Sequence, residues 1–169
     1  IPNYRLPKER LDDDIRAILK TGVQVKNGLK IGQDITIQEL RQQYDVVLIT
    51  IGASTDKKLG LENEDADGII SAVQFLRNVG KNQIIDLTGK EVAVIGGGNV
   101  SMDAVRTAKR LGAKKVSIVY RGRVADMTAL PGEIEGAVAE GIELQTLKAP
   151  ASIDVDENHH VKGIYVTPQ

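Results

Sequence analysis

The apolar run Val92-Ala-Val-Ile95 leads directly into Gly96-Gly-Gly98, and a helix-spaced pattern begins at Asn99. A β-branched run that ends in glycine and opens a helix reads as a parallel strand delivering backbone N–H groups to a turn. A second strand-like run, Lys115–Tyr120, follows after Gly112, which closes the βαβ unit. This unit commits the chain to an α/β fold with a parallel sheet.

The rest of the chain continues the alternation. Leu11, Ile15, Ile18 and Leu19 share one face before Gly22, so residues 8–20 read as a helix. Val23–Lys26 and Leu29–Ile31 are short strand candidates, and Thr36-x-x-Glu39 has capping-box spacing for a helix to about Gln43. Asp45–Gly52 is a largely β-branched run ending in glycine and reads as a buried parallel strand. Residues 54–70 read as a loop or linker. Ser71-x-x-Gln74 opens another helix. A helix over 132–140, a strand over 143–147 and a hairpin pairing 152–155 with 161–166 complete the pattern. The expected architecture is a Rossmann-like parallel sheet with helices on both faces and a β-hairpin near the C-terminus.

Gly96-x-Gly98-x-x-Ser101 is a G-x-G-x-x-[G/A]-type fingerprint with serine in its third position. Gly96 permits the tight turn, and Gly98 lets a pyrophosphate approach the backbone. Ser101 is small enough for helix–strand packing. The following helix aims free N–H groups and its positive dipole end at the phosphates. Gly96, Gly97, Gly98, Asn99, Val100 and Ser101 are therefore the candidate cofactor-binding residues. The alternative is a glycine-rich turn that binds nothing.

The end of the second strand selects the dinucleotide. An NAD site places a carboxylate there for the ribose 2′-hydroxyl, whereas this chain has Tyr120-Arg121-Gly122-Arg123. Guanidinium groups clamp a 2′-phosphate, so Arg121 and Arg123 point to NADP(H) over NAD(H). The competing reading is that Arg121 and Arg123 are solvated loop charges, and it weighs most on Arg123.

Composition narrows the function further. Net charge is −1 with no basic stripe, and aromatic content is 3%, which argues against nucleic-acid binding. With no cysteine there is no thiol nucleophile, redox disulfide or iron–sulfur ligand in the chain. No apolar run reaches membrane-spanning length, so no membrane partner is expected and a cytoplasmic location is the default. Asp12-Asp13-Asp14 reads as a charged helix face and His159-His160 as a hairpin surface, so neither is a metal candidate. No G-x-S-x-G elbow supports a hydrolase. Asp103 is expected to stabilise its helix start by charge.

Several segments together resemble the pyridine-nucleotide–flavin oxidoreductases typified by the small (beta) subunit of glutamate synthase. They are Ile-Pro-x-Tyr-Arg-Leu-Pro-Lys at 1–8, Tyr44–Ala53, Val94–Asp103 with its Gly-Gly-Gly-Asn turn, Arg106-Thr-Ala, and Val119-Tyr-Arg121. The resemblance implies two interlocked dinucleotide-binding domains, with an NADP(H) domain inserted into an FAD domain. It implies that residues 1–55 are a flavin-domain segment closing at Gly52, itself a cofactor-binding candidate. Residues 56–70 are then a linker, and 71–169 an inserted NADP(H) domain incomplete at its C-terminus. It implies hydride transfer from NADPH to FAD, with electrons passed to iron–sulfur centres or a large-subunit partner. No residue of this chain is expected to be an acid, base or nucleophile. The fragment alone is expected to bind NADP(H) without turnover, FAD belonging to the full-length protein. A non-catalytic nucleotide-binding module and an NAD(H)-specific relative are the alternatives. The chain departs from the family at Tyr-Arg-Gly-Arg, where Tyr-Arg-Arg is usual, and at Met127-Thr-Ala129, where Met-Pro-Ala is usual. The flavin-domain segments are the expected partners, and a homodimer swapped through Asp45–Gly52 is a further expectation.

Overall fold

The computed structural model describes residues 1–169, which divide into two units: residues 6–54, and residues 1–5 together with 55–169. In the 6–54 unit, α1 spans Lys8–Leu19 and α2 spans Ile37–Gln43. The α2 capping box forms as its spacing implies: Glu39 N–H donates to Thr36 Oγ1, and Thr36 N–H donates to Glu39 Oε2.

Three strand expectations in this unit are not met. Residues 23–26 and 29–31 form no strand, and Ile31 makes only an isolated bridge to Ile35. Residues 45–52 form no ladder, with Leu48 at 83% and Ile51 at 86% exposure. The β-branched composition is right for a buried strand, but a strand exists only with a neighbour to pair its backbone groups. No segment pairs with 45–52 in the structure. The apolar face of α1 is likewise exposed at Leu11, Ile15, Ile18 and Leu19.

The second unit holds the core. It contains α3 (Ala72–Gly80), β1 (Glu91–Ile95), α4 (Asn99–Arg110), β2 (Lys115–Tyr120), α5 (Pro131–Ala139), β3 (Glu143–Thr146), β4 (Lys148–Val155) and β5 (Val161–Pro168). The first three strands form a parallel sheet in the order β1-β2-β3, with Ile95 opposite Val119 and Tyr120 opposite Thr146. The central strand β2 buries Val116, Ser117, Ile118 and Val119 in succession, so both of its faces are covered, as its mostly apolar run implies. Met102, Val105 and Ala108 of α4 are buried in the same cluster, together with Phe75 of α3 and Ala137 of α5. Burying side chains such as Met102 and Ile118 stabilises by about 1.5–3 kcal/mol each. β4 and β5 pair as the expected antiparallel hairpin, longer at the open end than the sequence suggested and with the turn where it was expected.

The strand order β1-β2-β3 places β2 at the centre of the parallel sheet, and α4 packs against β1, β2, α3 and α5.

Candidate functional site

The glycine turn follows the carboxyl end of β1, the edge where open α/β sheets bind ligands. Gly96 takes φ +135°, a conformation that L side chains rarely adopt, and its N–H donates to the Val119 carbonyl at 3.0 Å. A Cβ on Gly96 would stand 2.7 Å from Ser101 Oγ. Ser101 is buried, so it is the small packing residue beneath the turn, as its position in the fingerprint implies. A Cβ on Gly97 would stand 2.8 Å from the Tyr120 ring and 2.9 Å from Met127 Cγ. Gly97 therefore lets the loop after β2 pack against the turn. Around Gly98 the space is open: Thr128 Oγ1, 3.5 Å from a virtual Cβ, is the one atom within 4 Å.

Gly98 is also the N-cap of α4, and no side chain caps this helix. α2 and α3 are capped by Thr36 and Ser71, whereas α1 and α5, like α4, carry no side-chain cap, and of these three only α4 has glycine at its N-cap. An uncapped N-terminus leaves the N–H groups of Asn99 and Val100 without an intrahelical partner and concentrates the dipole's positive end there. The Asn99 carboxamide faces the other way and accepts from Leu130 N–H at 3.0 Å, tying the 120–130 loop to the helix start.

The two arginines after β2 have different situations. Arg121 is exposed and makes no hydrogen bond or ion pair. Arg123 donates to Asp126 from Nε at 2.9 Å and from Nη2 at 3.0 Å. Those bonds hold the Asp126 carboxyl down to about 2. Gly52 sits in the other unit, at φ +67°.

Sequence reasoning missed the support behind α4. Arg5 Nη1 donates to both Asp103 oxygens, at 2.9 and 2.8 Å, and its Nε lies 3.2 Å from Glu133. Arg106 bridges Glu133 at 2.7 Å and Glu140 at 2.9 Å, and Arg110 reaches Glu140 at 2.8 Å. The Tyr4 ring lies under both guanidinium groups, 4.6 Å from Arg106 and 3.8 Å from Arg110. Its hydroxyl is buried beside that of Thr107, and burial raises its pKa. Gly136 leaves room for the Arg106 guanidinium, which lies 3.3 Å from where a Cβ would be. Asp103 thus acts at the helix start as a partner for Arg5, beyond its interaction with the dipole. The only sequence signal was that Arg5, Asp103 and Arg106 all fall in segments that carry the family resemblance.

The Arg110 hydrogen bond holds Glu140 below the usual carboxylate range, against the opposing effect of burial. A depressed folded-state pKa contributes stability above the unfolded value of about 4.3, and that stability is lost as pH falls through the folded value. Glu140→Gln should therefore destabilise the chain at pH 7 in urea unfolding, and the gap from wild type should shrink below about pH 4. A gap independent of pH would show that the charge of Glu140 contributes nothing.

A match to the pyridine nucleotide-disulphide oxidoreductase family covers residues 5–167. The chain belongs to that family. The chain is 39% identical over 166 residues to the beta subunit of an NADP(+)-dependent formate dehydrogenase from Moorella thermoacetica, covering 97% of this chain and 23% of that protein. It is 33% identical over 174 residues to the glutamate synthase (NADPH) small chain of Escherichia coli, covering 97% of this chain and 37% of that protein. The chain thus spans well under half the length of these relatives. Mycobacterium tuberculosis FprA in complex with NADPH shares the fold, with a TM-score of 0.64 at 18% identity over 96% of this chain and 56% of that one. Thioredoxin reductase from Lactococcus lactis superposes with a TM-score of 0.52 at 20% identity, covering 68% of this chain and 38% of that one. No helix of this pyridine nucleotide-disulphide oxidoreductase chain is long and apolar enough to cross a membrane.

Proposed function

We propose that residues 71–169 form the NADP(H)-binding domain of a flavin-dependent oxidoreductase, with residues 1–55 a segment of its flavin domain and 56–70 the linker. The observation that carries this reading is the uncapped start of α4 behind an open glycine turn. A pyrophosphate placed there accepts from the Asn99 and Val100 amides, and Gly98 allows it to reach the backbone. Gly96 and Ser101 shape the turn from below, and Gly97 seats the loop that carries Arg121. Arg121, free of internal partners, takes the 2′-phosphate. The names of the relatives, NADP(+)-dependent and NADPH, support this choice of coenzyme.

The parent protein transfers hydride from NADPH to FAD, and the coenzymes supply the redox chemistry. This chain's residues bind and orient; none is placed as an acid, base or nucleophile. Gly52 closes the flavin segment against the FAD. The exposed apolar faces of α1 and of residues 45–52 are covered by the remaining flavin-domain segments. An iron–sulfur or large-subunit partner takes the electrons onward, in a cytoplasmic enzyme.

Calorimetric titration of the full chain with NADPH, NADH and FAD tests the reading. NADPH should bind. Arg121→Ala should weaken NADPH about tenfold or more, the worth of a hydrogen-bonded charge pair, and leave NADH within about twofold. Equal weakening of both would remove the 2′-phosphate from Arg121. Absence of NADPH binding by the wild-type chain would sink the reading itself.

A further inference from the structure

Asp126 lies three residues beyond Arg123, in the loop that follows β2. Its carboxylate accepts from Arg123 three times: Nε at 2.9 Å, Nη2 at 3.0 Å and the backbone N–H at 2.9 Å. The loop is closed further by Asp126 N–H donating to the Arg123 carbonyl at 3.0 Å and Tyr120 Oη donating to the Asp126 carbonyl at 2.8 Å. Gly122 makes this tightness possible, since a Cβ there would stand 3.0 Å from the Tyr120 ring and 3.3 Å from Asp126 Cβ. The same Tyr120 ring packs against Gly97, so the ion pair is tied to the glycine turn through one side chain. Arg121, two residues earlier, has no partner.

We propose that Asp126 sets the coenzyme preference of this site, because its carboxylate competes with the 2′-phosphate for the Arg123 guanidinium. The inference rests on the nucleotide reading above and assigns its specificity residue. With Asp126 present, two of the donors that would make Arg123 a second phosphate clamp are engaged. A carboxylate also stands in the loop that must receive a dianionic group. The carboxylate remains ionised at any pH where binding is measured, because the Arg123 hydrogen bonds hold its pKa at about 2. The pair is exposed, so the phosphate meets competition and not a barrier. The result is a site that favours NADPH through Arg121 while still accepting NADH.

Asp126→Asn keeps the shape, an acceptor for the Arg123 N–H and the Tyr120 bond to the backbone carbonyl, while removing the charge. In calorimetric titrations of the full chain it should tighten NADPH about three- to tenfold and leave NADH within about twofold. The salt dependence of NADPH binding should steepen, as one more cation engages the phosphate. Arg123→Ala should cost more NADPH affinity in the Asp126→Asn background than in wild type, which is the non-additivity a shared partner requires. Asp126→Glu, which retains the charge, should keep the wild-type NADPH to NADH ratio. An unmoved ratio in Asp126→Asn, or a gain that survives Arg123→Ala, overturns this inference alone, provided Arg121→Ala still weakens NADPH in the parent chain. If the wild-type chain binds no NADPH, both this inference and the reading beneath it fall.

Discussion

Arg5→Ala should lower stability by about 3 kcal/mol, or roughly 6–12 °C in thermal midpoint. Arg5 faces two acids at once, and Asp103 is only 4% exposed. Its removal leaves Glu133 still paired with Arg106, but Asp103 loses its sole cation. A buried carboxylate without a partner is the expensive case, far costlier than loss of a surface ion pair. Proximity to the start of α4 softens the penalty through the helix dipole, which keeps the figure at the lower end of the range for broken buried pairs. Arg5→Lys should lose less, because a charge remains while the nitrogen that bridges both carboxylate oxygens is misplaced. Thermal and urea unfolding at pH 7 measure both variants. A loss below about 1 kcal/mol for Arg5→Ala would mean that the pair behaves as an exposed one.

Gly96→Ala should abolish measurable nucleotide binding while leaving the chain folded. The residue sits at φ +135°, which costs an L-residue roughly 1–3 kcal/mol. The added methyl also meets Ser101 Oγ at 2.7 Å. Relief requires the turn to move, and the turn sets where the α4 amides point. The double variant Gly96→Ala with Ser101→Gly removes the clash but not the backbone strain, so it should recover stability more than binding. NADPH titration read beside thermal unfolding separates the two effects. Wild-type affinity in Gly96→Ala would show that the turn geometry does not govern the site.

Local chemistry carried much of the fold. Capping residues at Thr36 and Ser71, glycine at the turn and the β-branched runs of β1 and β2 act over a few residues, so their elements form where the spacing placed them. The strand expected at 45–52 shows the limit of that reasoning. Its composition describes a buried strand, but backbone pairing is a property of two segments, and the structure pairs no second segment with it. Strand order has the same origin, because it is a relation between elements that no single window contains.

The site divides along the same line. Residues 91–121 by themselves determine a strand, a side-chain-free turn, an uncapped helix and a cationic end to β2, because each follows from neighbours in the chain. Only tertiary structure decides that Arg5 reaches Asp103 across 98 positions, that Tyr120 seats against Gly97, and that Arg121 stands free while Arg123 is held by Asp126. Charges of identical type acquire different roles according to which partner the folded backbone brings within about 3 Å.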